Sequence, residues 1–128
     1  MISLKKLKIK NNLLNNRYVI SPMCQYSAKN GCPTDWHYRH LSNLVKSGAS
    51  MLMLESTAVN KNGKITHSDL CLNNSAQEIK FKNLKSKLNK IKNIPIGIQI
   101  SHSGRKGSSF VPWIKKNTPL DKKNNSWQ

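Results

Sequence analysis

Acidic side chains are scarce in this 128-residue sequence, which has 5 Asp and Glu against 22 Lys and Arg and a formal net charge of +17. Such an excess of cations favours attraction to nucleic acid or an anionic membrane. Arginine, which binds phosphates and bases in bidentate fashion, occurs only as Arg17, Arg39 and Arg105. The lysines are spread among many asparagines, which favours a solvated basic surface over a specific nucleic-acid site.

Cysteine pairs of the CxxC type are missing. Cys24, Cys32 and Cys71 are odd in number and follow no secretory signal, so we expect free thiols and a cytoplasmic location. The spacing of the first two from His37 and His40 matches no common structural zinc site, so we predict no metal centre.

Long hydrophobic runs and the common catalytic motifs are also missing. The longest apolar stretch, Met51 to Leu54, is far too short to cross a bilayer, so we expect no membrane partner. The sequence contains no Walker loop, GxGxxG fingerprint, nucleophile elbow or zincin helix, which leaves phosphate-loop and hydrolase functions without support.

What the sequence does contain is an alternation of strand and helix signals. Asparagine pairs in residues 1–17 predict a short hairpin. Tyr18 to Met23 is typical of a strand, which Pro22 ends because it cannot donate to a ladder. Thr34 or Asp35 is expected to cap a helix.

The second half of the alternation begins after Gly48, which is expected to end that helix. Ser50 to Val59 predicts a strand covered on both faces. Ser75 and Glu78 form the pattern of a capping box for a second helix, which Pro95 stops. The last strand alternates, with its isoleucines on one face and three small or polar residues on the other, namely Gly97, Gln99 and Ser101.

These elements predict an α/β fold with a parallel sheet, either doubly wound or a (β/α) barrel. The order is a hairpin over residues 1–17, then β, α, β, α, β over residues 18–102. A loop rich in Gly, Ser, Pro and Asn covers residues 103–128, and the chain stops inside it. Three strands leave sheet edges exposed and one sheet face poorly covered, which is typical of a truncated barrel.

Polar or reactive side chains follow all three predicted strands, in the stretches SPMCQYS, ESTAVN and QISHSGRKG. Function gathers at the carboxyl ends of the strands in such sheets. These stretches are therefore candidates for one active-site rim.

Four stretches, NRYVISPMCQYS, GASMLMLESTAVNKNGKIT, GIQISHSGRKG and PWIKKNTPL with the final WQ, occur in one order along the chain. Together they resemble the N-terminal part of the old yellow enzyme family of FMN-dependent ene-reductases, in the bacterial subgroup with cysteine after Ser-Pro-Met. The resemblance runs from about residue 4 to Gln128 and implies a (β/α)8 barrel whose floor is closed by the hairpin.

The resemblance also implies a chemistry, in which NAD(P)H reduces bound FMN and the flavin passes hydride to an activated alkene such as an enone. Tyr26 would offer its phenol to the substrate carbonyl or toward the flavin, and Cys24 would tune the flavin potential. The residues implied to line FMN are Ser21, Pro22, Met23, Cys24, Ser56 (where many relatives have alanine) and Gln99.

Each implied role has a plainer alternative. Gln99, whose amide both donates and accepts hydrogen bonds, could be a buried amide satisfied by its neighbours. Cys24 could be a small buried hydrophobe, and Tyr26 an aromatic plug at the barrel mouth. His102 and Arg105 are expected to organise the third loop.

The later strands of the family, which carry the histidine-containing substrate site and the arginine that grips the FMN phosphate, have no counterpart here. We therefore predict no catalytic residue in this segment, and expect that alone it neither binds FMN tightly nor reduces enones. Two alternatives remain open: a split enzyme completed by a complementary C-terminal chain, and a basic nucleic-acid-binding remnant.

Overall fold

The computed structural model describes residues 1–116 and 118–127. Asn117, in the stretch PWIKKNTPL, and Gln128, the last residue of the predicted loop, lie outside the described residues. The chain forms the hairpin, three parallel strands and two helices in the predicted order, with a further short strand before the second helix that was not predicted. The elements are β1 (Leu7–Ile9), β2 (Asn12–Leu14), β3 (Val19–Ile20), α1 (Asp35–Val45), β4 (Met51–Ala58), β5 (Leu70–Cys71), α2 (Ser75–Ile91) and β6 (Ile96–Ser101).

The predicted hairpin is confirmed. β1 and β2 pair antiparallel around a two-residue turn, with Leu7 opposite Leu14. The chain after the hairpin is attached to the start of β4, because the Ser50 hydroxyl accepts the Asn16 N–H at 2.8 Å and the Ser50 N–H donates to the Tyr18 carbonyl at 3.0 Å. These bonds set the register in which β3 enters the sheet.

β4 lies at the centre of the parallel sheet. Leu52 pairs with Ile20 of β3 and also with Ile96 of β6, and Thr57 pairs with both β5 and β6. Since a strand has only two edges, β3 and β5 share one edge of β4 and β6 occupies the other.

The first parallel strand is shorter than the predicted Tyr18 to Met23, because only Val19 and Ile20 pair with β4. Pro22 has no N–H to donate, so the chain leaves the sheet there, as expected of proline. β5 takes the vacated part of the β4 edge. The sequence did not reveal β5, since a two-residue strand is too short to show a period.

The two helices cover one face of the sheet and form the core with it. Leu88 of α2 is 0% exposed and lies at the centre of this layer. The core residues are Ala28, Leu41, Val45, Leu52, Leu54, Leu70, Phe81, Leu84, Leu88 and Ile94. Apolar burial of this kind is the main force that holds helices on a sheet.

The predicted capping box of the second helix is wrong. Asn74, one residue earlier, is the N-cap, and its side chain accepts the Gln77 N–H at 2.9 Å. Ser75 therefore becomes the first helical residue, and exposed Glu78 pairs with Lys82 at 2.6 Å instead. Asn is as good an N-cap as Ser. The backbone is still extended at Asn74, so that residue takes the N-cap position and the helix begins at Ser75.

Both helices end before the residues that were predicted to stop them, Gly48 for α1 and Pro95 for α2. α1 ends at Val45, three residues before Gly48, which has a φ of +96°. α2 ends at Ile91, ahead of Pro95. Within residues 1–116 and 118–127, neither helix has the length and hydrophobicity that a membrane span requires.

The alternating face of β6 is only partly buried. Ile96 and Ile98 pack against the core, whereas Ile100 is 74% exposed. No element of the described chain covers the sheet at that point. The outer edge of β6 is likewise unpaired among the described strands.

We predict that Leu88→Ala lowers the free energy of unfolding by about 2–5 kcal/mol, because it removes a fully buried side chain and leaves a cavity. Ile79→Ala is the matched control on the same helix, since Ile79 is 57% exposed, and should change stability by less than about 0.5 kcal/mol. Urea unfolding followed by circular dichroism measures both. Equal effects of the two substitutions would contradict this assignment of the core.

Candidate functional site

The predicted site residues lie at the carboxyl ends of β3, β4 and β6, which meet at one end of the sheet because the strands are parallel. The loop of residues 21–28 leaves β3 and turns across this end. Ser21 and Met23 are exposed and Pro22 is half-buried. The open site is therefore bounded by this loop and by the carboxyl-terminal ends of β4 and β6.

A β-bulge in β4 aims the polar side chains at this site. Leu54 pairs with Ile98 and Ser56 pairs with Gln99, which leaves Glu55 between them without a partner on β6. Without the extra residue, Ser56 would point into the core as Leu54 does. The bulge turns it to the opposite face, beside Gln99, where its hydroxyl bonds to Ser101.

Gln99 is exposed on that face. No hydrogen-bond partner for its amide lies within the described residues, so the amide is open to a ligand that offers both donors and acceptors. Ser56 and Gln99 together make a small polar floor next to a half-buried thiol, that of Cys24.

Cys24 contacts both the floor and the loop. Its thiol interacts with the backbone of Ser56 and with the Tyr26 hydroxyl, and both contacts favour the thiolate. Burial nevertheless raises the pKa of the Cys24 thiol, and the charges of Glu55 and Asp69 raise it further. The site therefore holds a protonated sulfur at neutral pH.

Tyr26 stands at the mouth of the site in an unusual backbone conformation, with a φ of +48°. Burial is the main cause that raises the pKa of its phenol, which keeps the hydroxyl available as a hydrogen-bond donor. The ring meets Trp113 edge-on, with centroids 5.9 Å apart. Trp113 was not singled out from the sequence, although the stretch PWIKKNTPL contributed to the resemblance.

A cleft of about 690 Å³ opens beside Tyr26, a size that suits a small organic ligand. It is lined on its other sides by the segment that follows β6, including Ser103, Arg105, Lys106 and Phe110. His102 supports this segment, because its Nδ1 accepts the Gly104 N–H at 3.1 Å.

Residues 103–116 and 118–127 carry more structure than a plain loop. Short 3-10 turns occupy Gly104–Lys106 and Lys122–Asn124. Trp127 folds back on the loop after β4, where its ring packs against His67 and its Nε1 donates to the Asn62 carbonyl at 3.2 Å. Trp127 is therefore fixed against the loop that follows β4.

Three buried polar residues escaped the sequence analysis as parts of the site, namely His37, Glu55 and Asp69. Asp69 holds the loop before β5, since its carboxylate accepts the Ile65 N–H and the Thr66 hydroxyl, each at 2.7 Å. Glu55 could have been recognised from the sequence, because an acidic residue inside an apolar strand is conspicuous in a chain with only 5 Asp and Glu. Within the described ranges, no group of three or more His, Cys, Asp or Glu could hold a metal ion.

The family model described as NADH:flavin oxidoreductase / NADH oxidase matches residues 4–126. The chain is 39% identical over 112 residues to an NADH:flavin oxidoreductase of Gibberella zeae, covering 88% of this chain and 27% of that protein. It is 41% identical over 101 residues to the NADPH dehydrogenase of Listeria welshimeri, covering 77% and 30%. The chain thus spans less than a third of the length of these two curated relatives.

Solved structures show the same fold. Morphinone reductase superposes with a TM-score of 0.73 at 17% identity, covering 82% of this chain and 27% of that one. Old Yellow Enzyme from Pichia sp. AKU4542 gives a TM-score of 0.76 at 19% identity, covering 84% and 28%. The predicted fold, an N-terminal portion of a TIM barrel, agrees with both.

The raised pKa of Cys24 predicts slow alkylation in the folded chain. Because the thiolate is the nucleophile, iodoacetamide should react with Cys24 near pH 7.5 about tenfold more slowly than with the same residue in urea. The pH at half-maximal rate should be higher in the folded chain, as measured by peptide mass spectrometry. Equal or lower midpoints in the folded state would refute this account of the thiol.

Proposed function

Because the chain belongs to the NADH:flavin oxidoreductase / NADH oxidase family, we propose that it forms one wall of the FMN site of an NAD(P)H-dependent reductase. The proposed substrates are activated alkenes such as enones. The observation that carries the proposal is the pairing of Ser56 with Gln99 at the strand ends, beside the thiol of Cys24. FMN, when bound, supplies hydride transfer between NAD(P)H and the alkene.

The residues at the strand ends suit the edge of a flavin ring. Gln99 presents an open amide, which both donates to and accepts from ring atoms. Cys24 presents a neutral, polarisable sulfur that fits a ring face without adding charge. The full set that we propose for FMN consists of Ser21, Pro22, Met23, Cys24, Ser56 and Gln99.

Tyr26 is proposed to bind substrate. Its hydroxyl lies at the mouth of the site, beside the 690 Å³ cleft, and its raised pKa keeps the proton on the phenol. A protonated phenol donates a hydrogen bond to a carbonyl oxygen, which is the polar end of an enone. Trp113 packs against the ring and limits the directions from which a substrate reaches it.

The wall is incomplete without further strands. In barrels of this kind the phosphate site is built near strands seven and eight, and the chain spans 27–33% of the curated relatives. We propose that a polypeptide carrying the remaining β/α units pairs with the open edge of β6 and covers exposed Ile100. Free cysteines support a cytoplasmic setting for this assembly.

FMN titration tests the proposal. The 128-residue chain alone should bind FMN with a dissociation constant above roughly 100 μM and should not reduce cyclohexenone. Adding the later strands of the Bacillus subtilis NADPH dehydrogenase, a relative 36% identical to this chain, should tighten binding at least about a hundredfold. Flavin fluorescence quenching and NADPH consumption are the measurements.

Gln99→Leu in the completed barrel should weaken FMN binding by about tenfold, because a ring hydrogen bond is lost and a polar ring atom is left unpaired. Asn93→Leu is the control, since Asn93 is exposed between α2 and β6 and should leave binding unchanged. Stoichiometric flavin with enone reduction by the chain alone, or equal affinities for the two variants, would overturn the proposal.

A further inference from the structure

We propose that Glu55 is a positioning residue which, oriented by His37, clamps the loop 21–28 in the shape needed at the strand ends. Glu55 and His37 are together called the Glu55–His37 support. That this loop faces a flavin rests on the proposed function, whereas the clamp itself rests on contacts within the chain.

The position of Glu55 is costly unless its carboxylate is compensated. The residue is 6% exposed and lies at the β4 bulge, next to core residue Leu54. An unpaired carboxylate in such a place strongly destabilises a fold. One hydrogen bond and one close contact compensate it. Oε2 accepts the backbone N–H of Gln25 at 2.7 Å. Oε1 lies 3.2 Å from Nε2 of His37, a polar contact whose angle is outside hydrogen-bond geometry.

His37 is held in one tautomer by the start of α1. Its Nδ1 accepts the backbone N–H of Thr34 at 3.0 Å, so this nitrogen carries no hydrogen. The ring hydrogen of neutral His37 must therefore be on Nε2, the atom that faces Glu55. His37 is 1% exposed, and it takes the place of the usual Glu or Gln at the third helical position of a capping box.

The loop is attached on both sides of its strained residue. Tyr26 has a φ of +48°, which is unfavourable for a bulky side chain and persists only where neighbouring contacts enforce it. On one side, the Gln25 N–H is bound by Glu55. On the other side, the Ser27 carbonyl accepts the Thr34 hydroxyl at 3.0 Å.

The two residues that hold the loop, Glu55 and Thr34, are linked through His37. Thr34 donates to His37 Nδ1, and His37 Nε2 faces Glu55. The side chains that face the site, Cys24 and Tyr26, flank the anchored Gln25 amide directly. A shift of that amide would move both side chains together. The support thus couples the start of α1 and the β4 bulge to the site-facing loop.

Glu55→Gln tests the clamp in the chain without flavin. If its amide oxygen keeps the Gln25 N–H, its NH2 group faces the Nε2–H of His37, so one contact is lost and the other loses its charge. Hydrogen exchange of the Gln25 amide, followed by NMR, should become about tenfold faster. The pH at which Cys24 alkylation is half-maximal should also become lower, because the negative charge of Glu55 raises the pKa of the Cys24 thiol and the substitution removes that charge. The ionisable groups that still act on the thiol are then the Asp69 carboxylate and the Tyr26 phenol.

Glu78→Gln is the matched control, since it removes the same charge from an exposed position on α2. Its Gln25 exchange rate and Cys24 alkylation profile should equal those of the unsubstituted chain. If Glu55→Gln gives the same two readouts as Glu78→Gln, the clamp does not exist.

A second pair of variants decides the matter if Glu55→Gln loses its circular dichroism signal. His37→Gln keeps an acceptor for Thr34 and a donor for Glu55, whereas His37→Leu keeps neither. Gln25 exchange should stay near the original rate in the first and rise about threefold in the second. Equal rates in these two variants would overturn the proposal, and failure of FMN to bind the completed barrel would leave it untouched.

Discussion

The pairing of β4 along both of its edges is the constraint on which the rest of the structure depends. β3 and β5 share one edge and β6 occupies the other, so every parallel contact in the sheet passes through this strand. Its helix-facing residues Leu52 and Leu54 anchor the core. Because β4 is buried on one face and paired on both edges, a change in its register would displace helices, loop and site at once.

The bulge at Glu55 converts this scaffold into a site. A regular β4 would continue its alternation and bury Ser56 against the helices. One extra residue turns Ser56 toward Gln99 and leaves a carboxylate at the boundary between core and loop. The carboxylate then binds the Gln25 amide, so the same local irregularity both exposes the polar floor and holds the loop above it. Bulges beside functional sites commonly serve to re-aim side chains in this way.

Much of the fold was predictable because its signals are local. Helical spacing of Phe81, Leu84 and Leu88 depends only on residues within a few turns, and the strand of β6 shows its period directly in the isoleucines. The second N-cap is Asn74 and not the predicted Ser75, since both residues offer an equivalent acceptor. β5 was not predicted, because its two residues pair with the part of the β4 edge that the earlier strand leaves at Pro22.

The sequence by itself determined the order of strands and helices except β5, the basic surface and the clustering of polar residues after each predicted strand. These follow from the chemistry of neighbouring residues. The tertiary structure alone decided the bulge, the tautomer of His37 and the strained conformation of Tyr26. The bulge and the Tyr26 conformation depend on partners more than a helical turn away, such as Glu55 and Gln25, which are 30 residues apart in the chain. The tautomer is set locally by Thr34, but only the tertiary structure places Nε2 of His37 against Glu55. A one-dimensional pattern carries no record of such contacts, because they form only when separate segments meet around β4.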